Sequence, residues 1–170
     1  MSIELLVLRL VHVCGGIFWA GGGIYAALFI TPALAKAGPA AGPILAEMQR
    51  RKLFTVLPLV AVATMLSGIR LMWIVSGGFS AHYFHTRMGH TYAAAGLASI
   101  VAFLVALAIA RPAGLKAAGL AAQLPGMSEE DAARTRAQLG KLQRRAGLAS
   151  ASAIWLLAFA AVGMSVARYL

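Results

Sequence analysis

The chain has 170 residues, 61% of them hydrophobic and only 12% charged, whereas a soluble domain carries roughly 25% charged residues. That balance excludes an ordinary water-soluble fold, and helices are required because unpaired backbone groups in hydrocarbon are too costly. The net charge of +10 would point to nucleic acid in a soluble domain, but here the basic residues flank apolar runs, where orientation and anionic headgroups account for them.

Four runs, at roughly residues 10–34, 53–75, 89–110 and 146–167, each approach the ~20 residues that a helix needs to cross a bilayer. The expected architecture is all-α: one integral membrane four-helix bundle over residues 1–170, with loops at about 35–52 and 111–145. The first run follows Glu4 and Arg9 and has no clean small-residue cleavage site, so it reads as a retained span. Lys36, Arg50, Arg51 and Lys52 fall in the first of these loops. Arg111, Lys116, Arg134, Arg136, Lys141, Arg144 and Arg145 fall in the second, making eleven of the fifteen basic residues. The positive-inside rule places both loops in the cytoplasm and the termini outside, as for a multi-pass protein of the cell (inner) membrane.

Span one is rich in glycine, and Gly15 with Gly22 and Gly16 with Gly23 give the small-residue spacing of a close helix crossing. Thr31-Pro32 predicts a break, followed by an irregular connection through Pro43. Pro58 predicts a bend in span two. The segment 77–87, with its glycines, aromatics and histidines, predicts a partly embedded cap. Arg111-Pro112 marks an interface, and Ser128-Glu129-Glu130-Asp131 supplies an N-cap with acids in the first turn of a helix that basic residues close before span four.

His12, Gly16, Trp19 and Gly23 recur at steps of four, three and four and so share one helix face, with Arg9 one turn before His12. Ionisable groups in a bilayer usually face a partner, a cavity or a cofactor. His90 enters span three at a depth matching His12, and two imidazoles from separate helices are a known way to ligate haem iron. Arg70 and Arg9 would then hold the propionates through matched forks. Plainer readings stand beside this one: His12 bonded to a backbone carbonyl, arginines reaching for headgroups, Trp19 as packing, and His82 and His85 as loop surface. Met65 and Met72, seven apart, offer soft ligands for copper or simple core filling. No embedded acid lies near a nucleophile, and no phosphate loop or dinucleotide fingerprint is present. The single cysteine, Cys14, gives no disulfide framework.

These residues resemble the copper-resistance protein D superfamily of small helical membrane proteins, which includes the bacterial non-flavin protoporphyrinogen oxidase. His12, Trp19, Gly21 and Gly22 are similar to the haem-ligating first helix of that oxidase, and Met48-Gln49-Arg50-Arg51-Lys52-Leu53, Pro58 and Ser67-Gly68 resemble its second. The second half departs from it. Span three has His90 and no embedded lysine, span four runs Ser150-Ala151-Ser152-Ala153-Ile154-Trp155 without asparagine or acid, and Tyr25 is not followed by Pro-Arg. The resemblance therefore implies a separate branch with a haem site on His12 and no inherited reaction.

The resulting expectation is a haem b protein with His12 and His90 as iron ligands and Arg70, Arg9, Trp19 and Gly16 around the cofactor, serving electron transfer or porphyrin-related redox chemistry. A redox partner or a second copy of the chain would complete it. The alternatives are a copper-handling transport protein and a non-catalytic accessory membrane subunit.

Overall fold

The computed structural model describes residues 2–170, with backbone only at 35 and 39. It is all-α, and four of its helices are long and apolar enough to cross a membrane: Ile3–Leu34, Leu53–Val75, Arg87–Gln123 and Glu129–Tyr169. These are called the first to fourth spans below. Ser2, Thr86 and Ser128 open the first, third and fourth, each hydroxyl accepting from the backbone N–H three residues on, as an N-cap should.

Several expected breaks are absent. The first span continues through Pro32 to Lys36, and the third continues through Pro112 to Gln123. In both, a five-residue π-helical turn precedes the X-Pro pair, Ala26–Ile30 in one and Ala106–Ala110 in the other. A proline ring clashes with the carbonyl four residues back, and a widened turn gives that carbonyl room while the helix goes on. Pro58, read as a bend and not a break, lies within a helix that is continuous from Leu53 to Val75.

The segment expected as a loop at 111–145 is mostly helix. At 1.5 Å per residue the 37-residue third span is about 55 Å long, well beyond the ~30 Å hydrocarbon. Its distal part, Arg111–Gln123, packs on the start of the fourth helix and buries Ala113, Ala117 and Ala132. The fourth helix starts at Glu129 as expected but runs without interruption through Arg145 into its apolar part, because between Glu129 and Leu148 only Asp131, Thr135, Gly140 and Gly147 interrupt its strong helix formers. The other connection also contains a helix, Ala41–Arg50. Lys52 then turns the chain with φ 59° before the second span.

The first span packs chiefly on the second and the third on the fourth. The two pairs meet in a central layer of Trp19, Ala61, Ala102, Ala153 and Leu157, one or more from every span. Trp19 crosses to Phe103 edge-on, with centroids 6.1 Å apart. Below this layer, Ala95, Ala98 and Ala160 seal the third span to the fourth. A β-carbon on Gly163 would lie 2.9 Å from that of Ala95, so the backbones there are as close as side chains permit. Towards the termini the two pairs separate, and the space between them is the site.

Candidate functional site

At the end of the bundle that carries both termini, all four spans line a cavity of about 830 Å³, within the roughly 300–1,000 Å³ of pockets that bind organic ligands and cofactors. Its wall includes Arg9 and His12 from the first span, Met65, Gly68 and Met72 from the second, Met88 and Tyr92 from the third, and Met164 and Arg168 from the fourth. The wall is otherwise largely apolar.

His12 is held by a specific arrangement. Its Nδ1 lies 2.8 Å from the Thr64 carbonyl oxygen. A carbonyl only accepts, so Nδ1 carries a proton and donates, and in the neutral ring it is Nε2 that has the lone pair. The Ser67 hydroxyl shares its hydrogen between the same oxygen, at 2.9 Å, and the Ala63 carbonyl, at 2.8 Å. The ring approaches the second span so closely that a β-carbon at position 68 would lie 2.6 Å from Cε1 and 2.9 Å from Nδ1. Only glycine leaves room for the imidazole there. One turn on, Gly15 meets the Thr64 side chain in the same way, so the small residues of both helices serve one close crossing. A metal-ligating histidine is usually oriented by such a bond from its other nitrogen.

The segment between the second and third spans lies over the cavity and lines it with Phe79, Tyr83 and Phe84. Gly77, Gly78 and Phe79 all have positive φ, 66°, 86° and 62°. For phenylalanine this conformation costs about 1–2 kcal/mol. It is offset by the Ser76 hydroxyl, which accepts from the Phe79 N–H at 2.8 Å, and by edge-on contact with Trp73 at 5.2 Å. The helical turn Ala81–Phe84 follows, and Phe79, Tyr83 and Phe84 all line the cavity. Gly89, at the start of the third span, lies against the Tyr83 carbonyl with no space for a side chain, which fixes the cover to that helix. Burial pushes the Tyr83 phenol above its ordinary value, and the neighbouring Tyr92 adds to the shift, so Tyr83 is a neutral donor at physiological pH.

The structure thus brings His12 and Arg9 to one cavity and leaves the other four expected site residues outside its lining. His90 is exposed. Met88 and Tyr92 face the cavity, and a residue two positions from each is rotated about 200° around the helix, which turns His90 away from His12. Arg70 pairs with Glu4, Nη2 to Oε1 at 2.6 Å and Nε to Oε1 at 2.8 Å, both side chains half-exposed. Trp19 belongs to the central layer, and a β-carbon at Gly16 would sit 3.8 Å from Thr64 Cγ2, at the helix crossing. His82 and His85 are exposed, and no group of three or more His, Cys, Asp or Glu side chains placed to hold a metal occurs among the described residues.

Arg168, Tyr83, Tyr92, Met88 and Met164 were not singled out by sequence reasoning. Their signal is the i, i+4 spacing of Met88 with Tyr92 and of Met164 with Arg168, each near the terminal end of its span. Met65 and Met72, considered as a pair, prove to belong to a set of four methionines on this wall. Compared with known proteins, the chain matches no family model, no curated sequence and no solved structure.

Proposed function

We propose that the cavity holds a b-type haem, with His12 as its axial ligand and the termini on the outer side of the cell membrane. The observation that carries this reading is the held imidazole: Nδ1 fixed on the Thr64 carbonyl above a glycine, on the wall of a cofactor-sized cavity. The remaining residues fit the same group. Arg9 and Arg168, on the first and fourth spans, supply two guanidinium groups for two propionates. The Tyr83 phenol offers a neutral donor, and Phe79 and Phe84 close the cover against water. Met65, Met72, Met88 and Met164 would offer thioethers to the iron, a pairing with histidine that raises haem potentials. Bound there, a haem would supply one-electron transfer. The resemblance of the first span to the haem-ligating first helix of one member of the copper-resistance protein D superfamily supports the same reading.

The test is a reduced-minus-oxidised spectrum of protein purified from haem-replete cells, with pyridine haemochrome quantitation. A near-stoichiometric b-type signal that His12→Ala removes is expected; a colourless, well-folded wild type would overturn the proposal.

The four thioethers support a second reading, in which the cavity handles Cu(I), since soft sulfur ligands select that ion. It predicts a colourless protein whose retained copper falls on Met72→Leu and Met164→Leu.

A further inference from the structure

At the opposite end of the bundle the third and fourth helices part around a second, open groove of about 540 Å³. One wall is apolar, with Val105 and Ile109 from the third helix and Leu148 from the fourth. The other is cationic, with Lys141, Arg144 and Arg145. Positions 141, 144, 145, 148 and 152 recur at helical spacing, so a single face of the fourth helix supplies its whole side of the groove. The π-helical turn Ala106–Ala110 contains Ile109 and widens the third helix at the facing wall.

We infer that this groove is a binding site for an anionic phospholipid, with the phosphodiester on Lys141, Arg144 and Arg145 and an acyl chain along Val105, Ile109 and Leu148. Charge supplies the first argument. The protein has five acidic residues. Glu4, Glu47, Glu129 and Glu130 are paired with arginines elsewhere, and Asp131 accepts from the Ser128 hydroxyl. Among the described residues no carboxylate lies within ion-pair distance of the three cations, which therefore concentrate positive charge over little more than one helical turn.

Depth supplies the second argument. The apolar run of the fourth helix begins at 146 and that of the third ends near 110, so the cations lie at the level of the headgroups and the apolar wall at the level of the first methylenes. Basic pockets between spans at this level recognise anionic headgroups. A free phosphate would use only the cations, whereas the apolar wall matches a phosphate that carries a chain. The groove lies at the far end of the bundle from the cofactor cavity, and the inference is independent of what that cavity holds.

Native mass spectrometry of the full chain in detergent tests it, by comparing retention of phosphatidylglycerol with that of phosphatidylcholine of the same chain length. Phosphatidylglycerol should be retained in preference, and Lys141→Gln/Arg144→Gln/Arg145→Gln should lower that preference about tenfold or more, given the usual strength of basic contacts to anionic lipid. Ile109→Trp, which fills the groove and leaves every charge in place, should lower it too, and carries the test if the triple variant fails to fold. Lys116→Gln/Arg134→Gln/Arg136→Gln removes three charges elsewhere and should leave the preference intact. Equal retention of the two lipids would overturn the site, as would an equal loss in the charge-matched control. Displacement of the lipid by an equal concentration of inorganic phosphate would overturn the lipid assignment in favour of free phosphate.

Discussion

The seam between the first and second spans and the seam between the third and fourth solve the same packing problem differently. Both bring helix backbones into close approach by using residues with little or no side chain, which is the usual route to tight contact where lipid is as apolar as the helix. The third and fourth spans do it with alanine against alanine and Gly163 against Ala95, and the result is a seam of buried alanines. The first and second do it with Gly15, Gly16 and Gly68, and into the space they leave they insert an imidazole and the Thr64 side chain. A close crossing is therefore structural in one pair and a means of positioning a side chain in the other. Glycines that look alike in the sequence have different tasks.

Substitutions at the two seams should separate these tasks. The largest effect is expected from Gly68→Val. Its side chain would occupy the place of the His12 ring, and overpacking of this kind costs about 1–3 kcal/mol. The variant should melt at lower temperature and also lose the b-type absorption, because the imidazole has to move. Gly163→Ala sharpens the contrast: it should lower stability by about 1–2 kcal/mol through the contact with Ala95 and leave the haem signal at full stoichiometry. If both glycines affected pigment equally, the distinction between the seams would fail.

Smaller effects are expected where charges are exposed. Arg70→Ala removes a half-exposed ion pair with Glu4 and should cost no more than about 1 kcal/mol, less in high salt. Haem retention in that variant should match the wild type, because Arg70 is outside the cavity lining. The smallest effect concerns pH. Hydrogen bonds from Arg50 and then Arg51 hold the Glu47 carboxyl below its ordinary value of 4.5. A carboxylate with a lowered folded value contributes stability above its unfolded value and loses it as pH falls through the folded one. Acid titration should therefore weaken the Ala41–Arg50 helix only below about pH 4.5, and Glu47→Gln should remove that dependence. Amide exchange across the segment would read both.

Much of the fold was legible in the residues. The four apolar runs and the N-cap at Ser128 follow from hydropathy and hydroxyl placement, which are local properties. Some of what was misjudged was legible too. Between 113 and 122, Ala113, Ala117, Ala118, Ala121 and Ala122 have the highest helix propensity of any residue and Leu115, Lys116 and Leu120 are good formers too, and reading the segment as loop gave too much weight to Arg111-Pro112 and too little to that propensity. Proline need not break a helix: a π-helical turn relieves its clash at both X-Pro pairs, and the second span runs through Pro58 without one. No single-residue rule encodes such a turn.

The candidate site divides along the same line. By itself the sequence determined that a histidine and an arginine lie one turn apart on a glycine-rich face of a membrane helix, because spacing along one helix is fixed by its own geometry. Only the tertiary structure decided what that face meets. It set His12 on the Thr64 carbonyl, turned His90 outward, gave Arg70 to Glu4, and drew methionines from three spans and Arg168 from the last turns of the chain into one wall. Those outcomes depend on the rotation of each helix about its own axis relative to the others. That rotation is fixed by close contacts between different spans, at Gly15, Gly68, Ala95 and Gly163, which no periodicity within a single span contains.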